Sequence, residues 1–203
     1  LENIQVVNEN TLWKSIIAGE QPAFKMLYEA YADLLFAYAN RYTKDKEIIL
    51  DCIHDLFIDL HTWHRNLAAE VNVRYYLLSS MRRKLHTALK KASRTSLRGD
   101  MMQFSVDFET ESVQAVIIAS EQEQQLYQQL AKQLNQLPAR QKEIIYLKYH
   151  CDLSYEEIAA IMQISVPTCR TLTYRAVKQM RQALDASAAT AFSIIIGQFF
   201  RHL

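Results

Sequence analysis

Leu153-Ser154-Tyr155-Glu156-Glu157-Ile158-Ala159-Ala160-Ile161-Met162-Gln163-Ile164-Ser165-Val166-Pro167-Thr168 is the stretch that decides the fold of the C-terminal part of this chain. Ser154 and Glu157 have the spacing of a capping box, in which each side chain bonds the other residue's exposed amide, so a helix starts at this point. It is short. Ser165 is placed to cap a second helix eleven residues later, and Pro167 is tolerated in a first turn, where its missing N–H has no helical acceptor. Two helices joined by so brief a turn cross steeply, and small Ala159 lets them approach. The pattern is that of a helix-turn-helix.

In such a unit the second helix enters the major groove, so its exposed face must offer donors to base edges and phosphates. Thr168, Arg170, Thr171, Tyr174, Arg175 and Lys178 fit that face, while Cys169, Leu172, Ala176, Val177 and Met180 can turn inward. From spacing alone, an ordinary helical hairpin with a basic solvated face satisfies the same pattern.

Outward from this unit the whole chain reads as helix. With three Gly and three Pro in 203 residues, it lacks the turns a many-stranded sheet needs, and half of its residues are hydrophobic. Asn10 or Thr11 can cap a short helix that carries Leu12, Trp13, Ile16 and Ile17 and stops at Gly19. Pro22 opens a longer one, in which Phe24, Leu27, Tyr28, Tyr31, Leu34, Leu35 and Tyr38 recur on one face. Residues 45–64 form the next, burying Ile49, Cys52, Ile53, Leu56, Phe57 and Leu60, with Asp51, Asp55 and Asp59 stacked at intervals of four on another face. Residues 71–94 follow as a basic helix. Helices are then expected over 121–135, 138–150, 155–163 and 166–185, with an apolar segment at 188–200 to close.

Net charge is +1, which argues against a nucleic-acid partner only until its distribution is read. From Arg65 to Arg98 nine basic residues face Glu70 alone, whereas Gly99 to Glu123 holds six acidic residues and no Lys or Arg. That second stretch also loses the helical period and reads as a linker. The three cysteines are far apart without C-x-x-C spacing, so neither a disulfide framework nor a thiolate zinc site is indicated, and reduced thiols of the cytoplasm are expected. His54, His61 and His64 near Cys52 are weighed as metal ligands and set aside; no metal or cofactor is expected. No signal peptide, membrane span, Gly-rich phosphate loop, nucleophile elbow or H-E-x-x-H is found, which argues against an enzyme. The chain begins at Leu1, so its start is expected to have been trimmed.

The stretch Leu137-Pro138-Ala139-Arg140-Gln141-Lys142-Glu143-Ile144-Ile145-Tyr146-Leu147-Lys148-Tyr149, followed by the opening motif, resembles the sigma-4 DNA-binding domain of extracytoplasmic-function sigma factors. Ala23-Phe24 with Leu27-Tyr28, and then Asp51-Cys52-Ile53-His54-Asp55-Leu56-Phe57-Ile58-Asp59-Leu60, resemble that family's sigma-2 domain. The resemblance covers residues 20–185. It implies an all-α chain of two helical domains: a sigma-2-like bundle at 1–97, an acidic linker at 98–120 and a sigma-4-like helix-turn-helix domain at 121–186, with an apolar helical extension at 187–203.

What the resemblance implies for function is a sigma factor that brings core RNA polymerase to promoter DNA. Asp51, His54, Asp55, Phe57 and Asp59 would dock on the coiled-coil of the polymerase β′ subunit; a solvated acidic face is the plainer reading of that row. Trp63, His64, Arg65, Arg74, Arg82, Arg83 and Lys84 would meet the minus-10 element and its extruded base, as cationic and stacking groups suit a single strand. Tyr75 and Tyr76 serve either this surface or the core. Lys148, Thr168, Arg170, Thr171, Tyr174, Arg175 and Lys178 would meet the minus-35 element. The linker would thread toward the active-site channel, or act as a simple tether. Arg83 stands where the family commonly has Asn, which bears on the minus-10 base, and Gln163 where a glycine usually eases the turn.

The resemblance also implies an anti-sigma regulator and no direct membrane insertion. Phe192, Ile195, Ile196 and Phe199 fall on one helical face, expected to pack on the protein's own domains or on that regulator. Two other classes compete. An operator-binding regulator predicts an α/β sensor domain in the first hundred residues, and a docking adaptor without DNA binding is opposed by Arg170 and Arg175.

Overall fold

The structure, a computed structural model, describes residues 9–95 and 121–182 together with Ile196. These residues are helices and short connections, with no strand among them. The chain divides into two compact units, Leu1–Gln103 and Phe104–Leu203. The acidic linker lies outside the described residues, as does the apolar C-terminal segment apart from Ile196, which is buried.

The first unit is built from α1 (Glu9–Ala18), α2 (Gln21–Ala39), α3 (Lys46–Trp63), a 3-10 turn (His64–Asn66) and α4 (Val73–Thr95). α2 packs on α1, α3 and α4, and α3 packs on α4, so the apolar stripes converge on one core. Ile16, Leu27, Leu35, Tyr38, Ile49 and Leu77 are fully enclosed there, and burial of each contributes roughly 1.5–3 kcal/mol. α3 starts where Asp45 accepts from the amides of Glu47 and Ile48, and Asn72 does the same for Tyr75 at the start of α4.

Two expectations for this unit are corrected. α1 begins at Glu9, so Asn10 and Thr11 lie inside it instead of capping it; the Tyr31 hydroxyl donates to the Glu9 carboxylate at 2.7 Å and ties that first turn to α2. Tyr28 is 42% exposed, its ring edge-on to Phe57 at 5.0 Å, so it lies at the margin of the buried stripe.

The second unit contains α5 (Glu121–Gln136), α6 (Ala139–Ile145), a π-helical turn (Tyr146–His150), α7 (Tyr155–Met162) and α8 (Val166–Gln182). Helices α5, α6 and α7 each pack on α8. The expected helix over 138–150 is thus two elements. Tyr146 and Leu147 are buried, and the backbone widens after them: the N–H of Cys151 donates to the carbonyl of Tyr146, five residues back, at 3.2 Å. Hydrophobic period sets which face is buried but not whether the ladder closes over four residues or five, so the sequence could not show this. Cys52, Cys151 and Cys169 are buried free thiols.

Candidate nucleic-acid interface

The capping box forms. The Glu157 amide donates to Ser154 Oγ at 3.2 Å and the Ser154 amide to Glu157 Oε2 at 2.7 Å, which fixes where α7 starts. It ends at Gln163, held in the left-handed region at φ 54°, ψ 49°, where the adjoining Ile164 amide reaches back to the Ala159 carbonyl at 3.0 Å. Ala159 is 3% exposed, so the turn closes on a side chain with nothing beyond Cβ. Ser165 then starts α8: its Oγ accepts from the Thr168 amide at 3.2 Å and shares a hydrogen bond with the Thr168 hydroxyl at 2.8 Å.

α8 carries Cys169, Thr173, Ala176 and Met180 inward. Leu172 and Val177, expected inside, are half-buried, and Thr173 takes the place because its hydroxyl donates to the Cys169 carbonyl at 3.0 Å and so needs no water. Thr168, Arg170, Thr171, Tyr174, Arg175 and Lys178 share the exposed face. Tyr174 is 65% exposed, a large ring left outside. The Thr171 hydroxyl donates to the Pro167 carbonyl at 2.9 Å, leaving its oxygen to accept.

Lys148 comes from the π-helical turn, not from this face. Its ammonium donates to the Leu153 carbonyl at 3.0 Å and sits 5.2 Å from the centre of the Tyr155 ring. The Arg170 guanidinium stands 5.6 Å from the same ring and 3.5 Å from the Glu156 carboxylate. Tyr155 therefore gathers two of the expected cations, a role that the sequence reading missed; an aromatic at the first position of the first motif helix was its signal.

In the first unit the expected groups fall into three sets. Asp51, His54, Asp55 and Asp59 are exposed along α3, and Phe57 is half-buried against Tyr28. Arg83 and Lys84 of α4 line a groove whose opposite wall is Asp51, Asp55, Asp59 and Trp63 of α3 and whose lining includes Cys52 and Leu56. Across it Lys84 Nζ meets Asp59 Oδ2 at 2.6 Å, and the Arg83 guanidinium donates to Ser80 Oγ at 3.0 Å. The acidic row and the basic helix thus form two walls of one groove.

Other members of the expected minus-10 set lie apart. Arg65 is exposed beyond the end of α3, and Arg82 is half-buried. Arg74 acts on Tyr31, whose hydroxyl it helps to ionise against the stronger opposing effects of burial and of Glu9. His64 packs on the Phe24 ring at 6.2 Å and its Nδ1–H donates to the His61 carbonyl at 3.1 Å. Tyr76 is half-buried: it meets Trp13 edge-on at 5.3 Å and also lines the groove, and burial pushes its hydroxyl pKa up. No group of three or more His, Cys, Asp or Glu that could hold a metal occurs among the described residues.

The family model for Sigma-70 region 2 matches residues 27–95, and that for Sigma-70, region 4 matches residues 127–180, which takes in the helix-turn-helix. The chain belongs to the sigma-70 family. The resemblance to extracytoplasmic-function sigma factors is thereby borne out, as is the fold of two helical domains. No curated protein matches this sigma-family chain by sequence. Among solved structures it is similar to CnrH in complex with the cytosolic domain of CnrY, at 18% identity and TM-score 0.54, over 87% of this chain and 97% of that one. It is similar also to the sigma factor RpoE in complex with the anti-sigma factor NepR from Bartonella quintana, at 20% identity and TM-score 0.55, over 80% and 97%. At these identities the likeness is one of fold.

Proposed function

We propose that this sigma-family protein binds core RNA polymerase and directs it to promoters by reading a minus-35 element with α8 and opening a minus-10 element with the first unit. The observation that carries the reading is the exposed face of α8. It sets Arg170, Thr171, Tyr174, Arg175 and Lys178 side by side behind a capped, tightly turned helix pair, the arrangement a major-groove reader needs. Asp51, Asp55 and Asp59, exposed on one helix face, suit a basic partner surface such as a polymerase coiled-coil. Trp63, 59% exposed in the groove it lines with Arg83 and Lys84, offers a stacking surface and cations for a single strand.

The chain acts on this reading as a binding subunit and not as a catalyst, and in the cytoplasm, where polymerase is. No helix among the described residues is long and apolar enough to cross a membrane. One structural relative was captured with an anti-sigma factor and the other with the cytosolic domain of CnrY, which supports an anti-sigma partner for this chain as well.

The test is reconstitution of the full chain with core polymerase on a promoter library, read by transcript starts. Specific initiation is expected, and Arg170→Ala with Arg175→Ala should reduce it at promoters that need the upstream element by about 10-fold or more, as each lost base or phosphate contact costs roughly 1–3 kcal/mol. Core binding without any promoter selected would overturn the reading in favour of a docking adaptor.

A further inference from the structure

α1 takes no part in the sites described above: the region 2 match begins at residue 27, and α1 ends at Ala18. Besides packing on α2, it reaches the loop 64–72 that joins α3 to α4. Trp13 is 2% exposed, and its indole N–H donates to the carbonyl oxygen of Ala68, in the middle of that loop, at 2.9 Å and 55 residues away in sequence. The same indole meets Tyr76, in the first turn of α4, edge-on. Just past α1, Gly19 has φ +82° and lies so close to His64, the first loop residue, that an added Cβ would stand 2.8 Å from the imidazole Nε2. The loop is therefore held at its start and its middle by one short helix.

The loop is also tied at its start, where His64 packs on Phe24 and bonds the His61 carbonyl, and at its end, where Asn72 caps α4; the Trp13 bond adds a tie at its middle. Its regular structure is the turn His64–Asn66, closed where the Leu67 amide donates to the His64 carbonyl at 3.3 Å, and Ala68, Ala69 and Glu70 are exposed. A segment of that kind loses conformational freedom when a ligand orders it, and a fixed donor on its backbone removes part of that cost in advance. An aromatic core residue alone would explain the burial of Trp13. A buried indole N–H also needs an acceptor, and the one it finds here belongs to the loop and not to a neighbouring helix.

We propose that Trp13 is a positioning residue for minus-10 recognition: it holds loop 64–72 in the shape in which the extruded base of the opened strand is received. This rests on the reading that the loop meets that strand. Trp13 need not touch DNA; it acts through the Ala68 carbonyl. One such hydrogen bond at a partly buried carbonyl corresponds to about a 3- to 10-fold effect.

The experiment uses holoenzyme assembled from core polymerase and the full chain, carrying wild-type sequence, Trp13→Phe, or an isosteric benzothienyl analogue at position 13 that lacks only the N–H donor. Both variants should bind core as wild type does, open duplex promoters about 3- to 10-fold more slowly, and discriminate less among bases at the minus-10 element. In the free chain, amides of residues 67–70 should exchange faster while those of α2 and α3 keep their protection. Unchanged opening and base preference in the benzothienyl variant would overturn the inference even if Trp13→Phe fails to fold. Loss of core binding in proportion to loss of opening would overturn it too, since that is what general destabilisation gives. Failure of the wild-type holoenzyme to open any promoter removes the underlying reading of the loop, a result seen before any variant is compared.

Discussion

Tyr155 shows how one residue can carry more than its position suggests. It lies in the first turn of α7, outside the recognition helix, yet Lys148 and Arg170 both rest against its ring. A cation over an exposed aromatic face is worth about 0.5–1 kcal/mol, so Tyr155→Leu should weaken binding to minus-35 duplex about 2- to 5-fold, whereas Tyr155→Phe should leave it near wild type; fluorescence anisotropy on a labelled duplex separates the two. Tyr31 makes a second prediction at this scale. Burial, then its bond to the Glu9 carboxylate and that group's charge, raise its pKa well above the ordinary tyrosine value, while Arg74 pulls the other way. In the unfolded chain the hydroxyl ionises near pH 10. The folded state keeps its proton there, so the stabilisation is complete below about pH 10 and is lost as pH rises toward the folded value. Tyr31→Phe should flatten part of the fall in denaturation midpoint between about pH 10 and pH 12. Tyr76 and Tyr149, whose hydroxyls burial also pushes up, contribute to the same fall.

Among elements, the turn between α7 and α8 carries a measurable strain. Gln163 occupies a left-handed conformation that costs an L residue with a side chain about 1 kcal/mol relative to glycine. Gln163→Gly should therefore raise stability by roughly that amount with DNA affinity unchanged, as read by thermal denaturation and anisotropy together. This turn was legible in the sequence, because capping chemistry is local: Ser154 and Glu157 name the start of α7, and Ser165 with Pro167 the start of α8. The exposed face of α8 was legible for the same reason, since period alone assigns it. What escaped was everything set by tertiary partners. The π-helical turn at Tyr146–His150, the inward Thr173 and the meeting of Lys148 with Arg170 at Tyr155 each depend on which backbone or ring lies opposite. The first unit shows the same limit, for no periodicity in α1 could indicate that Trp13 bonds a carbonyl in a loop beyond α3.

At the scale of the whole molecule, a net charge of +1 conceals opposed charge blocks, and the opposition recurs inside the first unit, where Lys84 and Asp59 meet across a groove. Duplex binding should consequently depend on local cations and not on the total. If Arg170, Arg175 and Lys178 each neutralise one phosphate, raising salt fourfold should weaken duplex binding by the full chain about 40-fold, and Arg175→Ala should lower the slope of log affinity against log salt by about 1. A flat salt response measured by titration would detach these side chains from DNA. The cysteines bear on how such measurements can be made. All three thiols lie inside the fold. A maleimide dye added to the native protein should thus find nothing to react with, so a cysteine introduced at an outward position of α2, far in sequence from every proposed contact, can be tagged selectively without first removing the natural ones. The protein comes ready for a single-molecule test of the promoter binding proposed for it.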